Sequence, residues 1–289
     1  MGSIKPRRTF CDLIVILLCW MLPGCNPTGP AETPDEADTE MIFVHVPAGK
    51  FRAGMYARED SLDHAFEIAK YEVTNVQYTL FLEQAYARGE ISVEDTVVTG
   101  YYAGDEHWPA GDRIFKIVNT PQSGIHFANG KFHADERLAN HPVALVTWYG
   151  AEAFAGFYGF RLPLENEWEK AARGNSTRDY PWGNTISGQR ANYFDSGDPF
   201  DNGSSPVGYY NGDEHDGFQT LDGASPFGAY DMAGNVWEWL GEFAGTSSYR
   251  IIKSGSWAGA GGRLRCWDKS LHFPDEKYTS FGFRVVRIP

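Results

Sequence analysis

The chain is poor in cysteine, with 4 in 289 residues, and poor in long apolar runs. It also lacks any basic cluster beyond residue 10: 38 Asp and Glu stand against 25 Lys and Arg, a formal charge of −13. Each shortage excludes something. Scattered cysteines cannot staple a disulfide scaffold. A strongly acidic balance argues against nucleic acid or an anionic membrane as the main partner. No Gly-x-Ser-x-Gly elbow occurs. Gly259-Ala260-Gly261-Gly262 misses the dinucleotide-loop spacing, and no P-loop lysine follows it. The 8 histidines are scattered without H-x₃-H or HExxH spacing, which leaves them as ordinary surface or packed residues.

What is present is glycine, proline and aromatic rings. With Gly 32, Pro 16 and 15% aromatics, the composition predicts a loop-rich α+β body closed by rings rather than by long helices. The N-terminus reads separately. Lys5, Arg7 and Arg8 precede an apolar run from Leu13 to Leu22, too short to span a bilayer, which takes about 20 residues. Basic start, apolar run and small residues describe a signal peptide over 1–25. Leu22-Pro23-Gly24-Cys25 resembles a bacterial lipobox, which would lipidate Cys25; Pro23 leaves ordinary cleavage or an uncleaved anchor as alternatives. Removal of Cys11 and Cys19 with this segment leaves Cys266 as the one thiol of the body, expected as a small core hydrophobe. Residues 26–40, Pro-rich and acidic, read as a flexible tether.

The folded domain is expected over 41–289. Strands are predicted at Met41 to Val46, at Phe51 to Gly54 and from Phe66 to Tyr71. Thr74 caps a helix from Asn75 to about Ala87 with a stripe of Tyr78, Phe81, Leu82 and Ala85, and Gly89 ends it. Residues 91–140 read as a β-rich insertion in which Phe127 to Phe132 is a hairpin, Asn129-Gly130 supplying a type I′ turn. Thr147 caps a second helix. A third runs from Leu164 to Arg173 with Trp168 and Ala171-Ala172 inward, closed by Gly174. Its Glu165, Glu167 and Glu169 are expected on a solvated face, no buried partner being visible. Ile251 to Trp257 and Phe281 to Arg287 are expected as central strands. No internal repeat is present.

The stretch around which the chain is organised is Ser225 to Phe243. It places Asp231, Gly234, Asn235 and Glu238 among Tyr230, Trp237 and Trp239. Carboxylates a few residues apart, with a glycine and an amide between, suit a loop wrapping oxygens round a hard cation. The plainer reading makes Asp231 and Asn235 turn residues and Glu238 a solvated charge.

Several motifs recur in one order: His141-Pro142-Val143, Thr147-Trp148-Tyr149, Arg161-Leu162-Pro163, Glu167-Trp168-Glu169, Pro181-Trp182-Gly183-Asn184, Asp231-Met232-Ala233-Gly234-Asn235-Val236-Trp237-Glu238-Trp239, Gly255-Ser256-Trp257 and Gly282-Phe283-Arg284. In this they resemble the formylglycine-generating enzyme, or sulfatase-modifying factor, superfamily across 41–289. The resemblance implies a single loop-rich α+β domain with that family's fold, related to the C-type lectin fold. It also implies two structural calcium sites. One would use Asp231, the carbonyls of Gly234 and Val236, and Glu238. The other would use Asn192, the carbonyl of Tyr193, Asp216 and the carbonyl of Phe218. Both donor sets are the oxygens Ca²⁺ takes.

Catalytic relatives oxidise a substrate cysteine with O₂ and Cu(I) held by two thiols, three and eight positions after the serine of the Gly-Ser-aromatic strand. Counting from Ser256 reaches Gly259 and Leu264; pairing Arg263-Leu264-Arg265-Cys266 with the family's Arg-x-Arg segment restores no pair either. Thiolates are the ligands Cu(I) prefers, so no copper and no catalytic residue is expected. The resemblance then implies a calcium-stabilised, non-catalytic module at the cell envelope, binding an envelope protein or glycan. The membrane would be met only through the N-terminal lipid or signal anchor. Exposed aromatics such as Tyr101, Tyr102, Trp108, Trp257 and Trp267 would be anchors, the plainer reading being that most are buried. The alternative is a family oxidoreductase acting on protein cysteine or a metabolite through a divergent site.

Overall fold

Threonine hydroxyls open two of the helices. In α1 (Asn75–Ala87) Thr74 accepts from the Gln77 N–H and the Gln77 amide accepts from the Thr74 N–H, a reciprocal capping box. In α2 (Trp148–Phe157) Thr147 accepts from the Gly150 N–H. In α3 (Glu165–Arg173) Leu164 has no acceptor to offer, and the Glu167 carboxylate takes the Leu164 N–H instead at 2.9 Å. Gly89 and Gly174 follow the first and third helices with φ of 71° and 62°, the left-handed turn that glycine makes without a Cβ clash. This computed structural model describes residues 40–200 and 202–288. The signal segment, Cys25 and all of the tether but Glu40 lie outside the described residues.

A four-stranded sheet runs in the order Ser270–His272, Arg250–Lys253, Trp237–Phe243, Phe281–Gly282, with only the last pair parallel. A second sheet places Phe66–Ala69 between Phe43–Val46 and Val286–Arg287, both antiparallel, so the two ends of the domain meet. The expected C-terminal strand is broken. Phe283 O and Val285 O accept from Val73 and Ala69 N–H groups, while Arg284 between them turns inward to Glu238. The strand from Ile251 likewise stops at Lys253, because Ser254 takes a φ of 87°.

Residues 91–134 form a meander, Ile91–Glu94, Val97–Tyr102 and Gly111–Ile117, then a hairpin of Ile125–Ala128 and Lys131–Ala134. Two cations tie this segment to the body. Arg250 lies 3.6 Å from the Trp148 ring and 3.5 Å from the Phe243 ring, a guanidinium stacked between aromatic faces, and pairs with Asp105 at 2.5 Å. Lys116, fully buried, donates to Ser123 O and Ala144 O.

One expectation is overturned. Glu167 and Glu169 are not on a solvated face: they are 0% and 2% exposed. Arg161 (2.6 and 2.7 Å) and His64 (2.8 Å) grip Glu167. Arg173 (2.5 Å), the Gly54 N–H (2.7 Å) and Lys253 (3.3 Å) grip Glu169. Buried carboxylates persist only when paired and hydrogen-bonded; Arg173 sits on α3 itself, four residues beyond Glu169, and the other partners arrive from other segments. Only Glu165 stays half-exposed, paired with Lys269 at 2.7 Å.

Lys116 carries a pH signature. Burial pushes its ammonium down to about 7, against about 10.4 in the unfolded chain. Between those values the unfolded state holds more protons, so stability rises with pH across the window. From pH 7 to 9 the gain is expected to be roughly 2 kcal/mol, read from denaturant melts. Lys116→Met should flatten that rise; a variant with an unchanged slope refutes the assignment.

Candidate functional site

The turn leading into Trp237–Phe243 is wound by left-handed residues, Asp231 (φ 58°), Gly234 (φ 95°) and Asn235 (φ 59°). Asp and Asn tolerate that region better than other side chains. Gly234 is required for a second reason: a Cβ there would stand 2.3 Å from Asn192 O. Ser254 Oγ donates to the carbonyls of Asp231 (3.1 Å) and Gly234 (3.0 Å), so the neighbouring strand holds the turn in shape. The chain then dives inward, with Trp239 fully buried and Trp237 half-buried.

Glu72 is the residue sequence reasoning missed here. It arrives from beyond Phe66–Ala69 and accepts from Asn235 Nδ2 (2.6 Å) and the Val236 N–H (3.2 Å). Nothing around Tyr71-Glu72-Val73 signals this, because its partners lie more than 160 residues away. Asp231 Oδ2 accepts from the Gly208 N–H at 2.6 Å. Glu238 is taken by Arg284 Nε (2.7 Å) and Nη2 (2.8 Å) and by Trp168 Nε1 (2.7 Å).

The electrostatics are lopsided. Glu72, Asp231 and Glu238 are all buried, and the cation acting on both Glu72 and Asp231 is Arg284. Burial, then the charges of Asp231 and Glu238, push Glu72 well above the usual carboxylate range. Burial pushes Asp231 up to about 6 against the Gly208 N–H bond and Arg284, which lower it. An excess of buried negative charge on oxygen donors suits a hard cation. The expected first set fits in part. Asp231 and the Gly234 and Val236 carbonyls lie on the wound turn, with Glu72 beside them, but Glu238 serves as the counterion of Arg284.

The second set is divided. Asn192 is buried, with its Oδ1 lacking a hydrogen-bond partner, and the Tyr193 carbonyl accepts from the Ser196 N–H. Asp216, by contrast, sits exposed at the turn between Glu214–His215 and Phe218–Gln219, with φ 49°. Phe218 is half-buried beside it, in ring contact with Tyr209 at 6.4 Å. Asn192 Oδ1 is thus an acceptor in want of a partner, while the Asp216 side chain makes no hydrogen bond among the described residues.

The two positions that the resemblance sets against the relatives' thiols are Gly259 and Leu264. Gly259 is half-buried in the turn after Ser256, to whose carbonyl it donates at 2.9 Å. Leu264 ends the 3₁₀ turn Gly261–Leu264, fully buried with Tyr180, Ala191 and Ala233. Cys266 is buried and free of any disulfide, and burial pushes its thiol up to about 12. Such a thiol is a poor nucleophile at neutral pH.

Beside Gly259 lies a small cleft. Gly259 O accepts from the Phe194 N–H at 3.0 Å, and Phe194, Asp195, Asn202 and Trp257 line a cavity of about 140 Å³. Phe194 is 65% exposed, an apolar ring presented to solvent. Of the expected anchors, Trp257 therefore faces this cleft. Tyr101 is exposed; Tyr102 donates to Asp105, Trp108 packs edge-on to Phe273, and Trp267 donates to Asp179.

Residues 29–289 match the Sulfatase-modifying factor enzyme 1-like domain. The chain is 34% identical to the inactive C-alpha-formylglycine-generating enzyme 2 of Bos taurus, over 84% of this chain and 87% of that protein. It is 32% identical to the formylglycine-generating enzyme of Thermomonospora curvata, over 93% of this chain and all (100%) of that one. It is 30% identical over 88% of its length to the serine/threonine-protein kinase pkn1 of Chlamydia caviae, but spans only 39% of that protein. Among solved structures, PvdO from Pseudomonas aeruginosa has a TM-score of 0.58 at 19% identity, over 86% of this chain and 94% of that one. That likeness carries the α+β fold alone.

A thiol so placed should not react. In the native protein Cys266 is expected to resist iodoacetamide at pH 8, and to alkylate fully once denaturant unfolds the domain; mass spectrometry of the intact chain distinguishes the two. Labelling of the native protein within minutes would contradict its burial.

Proposed function

Since the chain belongs to the formylglycine-generating enzyme, or sulfatase-modifying factor, family, we propose that it is a member without the thiol–copper oxidation, working as a calcium-stabilised binding module for an envelope protein or glycan. The observation that carries this reading is the pair Gly259 and Leu264 at the thiol positions. One is a turn glycine and the other a core side chain, so Cu(I) has no sulfur to hold it. Similarity to a mammalian protein named inactive supports the same reading. Export, and tethering through Cys25, rest on the signal segment and its lipobox-like end.

The recognition face is the cleft beside Gly259. Its exposed Phe194 ring and Trp257 supply apolar area, and Asp195 and Asn202 supply polar groups at the rim. Such a mixture of ring faces and hydrogen-bonding groups suits either a peptide or a sugar. Calcium would sit against Asp231, Glu72 and the Gly234 and Val236 carbonyls, relieving the surplus of buried charge and tying the turn to the strand before α1.

Incubated with O₂, Cu(I) and a Cys-Thr-Pro-Ser-Arg peptide, the domain is expected to produce no formylglycine. Screened on peptide and glycan arrays, it is expected to retain a ligand that Phe194→Ala and Trp257→Ala each weaken. Turnover of the peptide at enzymatic rates, or a ligand indifferent to both substitutions, overturns the reading. Calcium removal is the second measure. Saturating Ca²⁺, at a hundred times its dissociation constant, should stabilise the domain by about 2.7 kcal/mol. EGTA should reverse this in a thermal melt, and Asp231→Asn should abolish the response.

A further inference from the structure

The histidines look unrelated in sequence, yet the fold sets two of them opposite each other. In the hairpin of Ile125–Ala128 and Lys131–Ala134, His126 is the cross-strand partner of His133. The turn between the strands fixes that register. Asn129 (φ 53°) and Gly130 (φ 76°) both take the positive φ of a two-residue type I′ turn. His126 and His133 stand at equal distances on either side of it.

The hydrogen-bond pattern tells which kind of pair this is. Phe127 and Phe132, the next pair toward the turn, send their N–H groups elsewhere, to Asn119 Oδ1 and Glu83 Oε1. They are therefore a non-hydrogen-bonded pair, and the alternation of an antiparallel ladder makes the histidines a hydrogen-bonded one, with Cα atoms about 5.5 Å apart. The two faces of the hairpin differ accordingly. Phe127 and Phe132 pack on each other (4.6 Å) and on Tyr86 of α1 (5.2 and 6.0 Å). Successive residues of a strand alternate faces, so both imidazoles project from the opposite, outer face. His126 is 45% exposed in its side chain, and His133 is exposed.

We propose that His126 and His133 form a two-imidazole site for a divalent transition metal ion, Cu(II) in preference to Zn(II), on the outer face of this hairpin. Imidazole nitrogen is a ligand both ions accept, and Cu(II) stands above Zn(II) in the general order of affinity. Two nitrogens bound to one ion at about 2.0–2.1 Å lie at most about 4.2 Å apart, which rings rising from a directly opposed pair can reach. Water fills the remaining positions. Asp135 is a positioning residue: its Oδ2 stands 4.0 Å from His126 Nε2 and adds negative charge beside the ring. Arg137 donates to both oxygens of that carboxylate, to Oδ2 at 3.0 Å and to Oδ1 at 3.3 Å, and Lys131 shares the outer face two residues before His133. No group of three or more His, Cys, Asp or Glu among the described residues is arranged to hold a metal ion, so this site rests on two protein ligands. It shares no residue with the glycine turn or the cleft.

The test is calorimetric titration of the whole chain with Cu(II), and separately with Zn(II), in a buffer that does not bind metal. One saturable equivalent is expected for each ion, tighter for Cu(II), with two nitrogen ligands in the electron paramagnetic resonance spectrum of the copper form. His126→Ala and His133→Ala should each weaken binding by at least roughly tenfold, and Asp135→Asn by up to about tenfold. His272→Ala should leave it unchanged. Both hairpin histidines are exposed, so circular dichroism of the variants should match the parent. Absence of a saturable equivalent, affinity unchanged from the parent in both hairpin variants, or loss in only one of them overturns the proposal.

Discussion

The interaction on which the structure turns is the buried pair of Arg284 and Glu238. Both side chains are fully buried, and the guanidinium meets the carboxylate through two bonds of 2.7 and 2.8 Å. Its remaining N–H groups reach the carbonyls of Ala69, Lys70 and Tyr230, while Trp168 of α3 donates to the same carboxylate. One charge pair thereby joins the second strand sheet, the turn before Asp231, the central sheet and α3. Desolvating two charges is expensive, and removing one partner from such a pair typically costs about 3–5 kcal/mol. What the pair supplies is a single arrangement of segments that have little regular structure between them.

That arrangement is independent of Gly259 and Leu264. None of the groups that bond Arg284 or Glu238 lies at the thiol positions. Leu264 joins Tyr180, Ala191 and Ala233 in a small apolar cluster, and Gly259 closes a turn onto Ser256. The residues that hold these segments together are thus distinct from Gly259 and Leu264. The surplus charge of Glu72 and Asp231 belongs to the architecture, as does the left-handed turn that Ser254 braces.

Local features were readable from the chain. Thr74 and Thr147 announce their helices through side-chain caps that act within three residues, and Asn129-Gly130 announces its hairpin through the φ values it permits. Trp168, Ala171 and Ala172 face inward as their spacing requires. Glu167 and Glu169 on the same helix were not readable, since Arg161, His64 and Lys253 reach them from separate segments, Arg173 alone sharing their helix. The histidine pair stands between the two cases: symmetric placement about Asn129-Gly130 carries the signal, but only through the hairpin's register.

The sequence by itself determined the family, the helix ends, the hairpin turn and the want of a second thiol in the body. Those are properties of residue type and short spacing, and short spacing is conserved when the chain folds. Tertiary structure alone decided that Glu72 would meet Val236 across 164 residues, that Asp216 would face solvent while Asn192 is buried, and that Phe194 would open beside Gly259. A buried charge or an unpaired amide is defined by whatever chain the fold brings against it, and that neighbour is fixed by strand pairing over long distances.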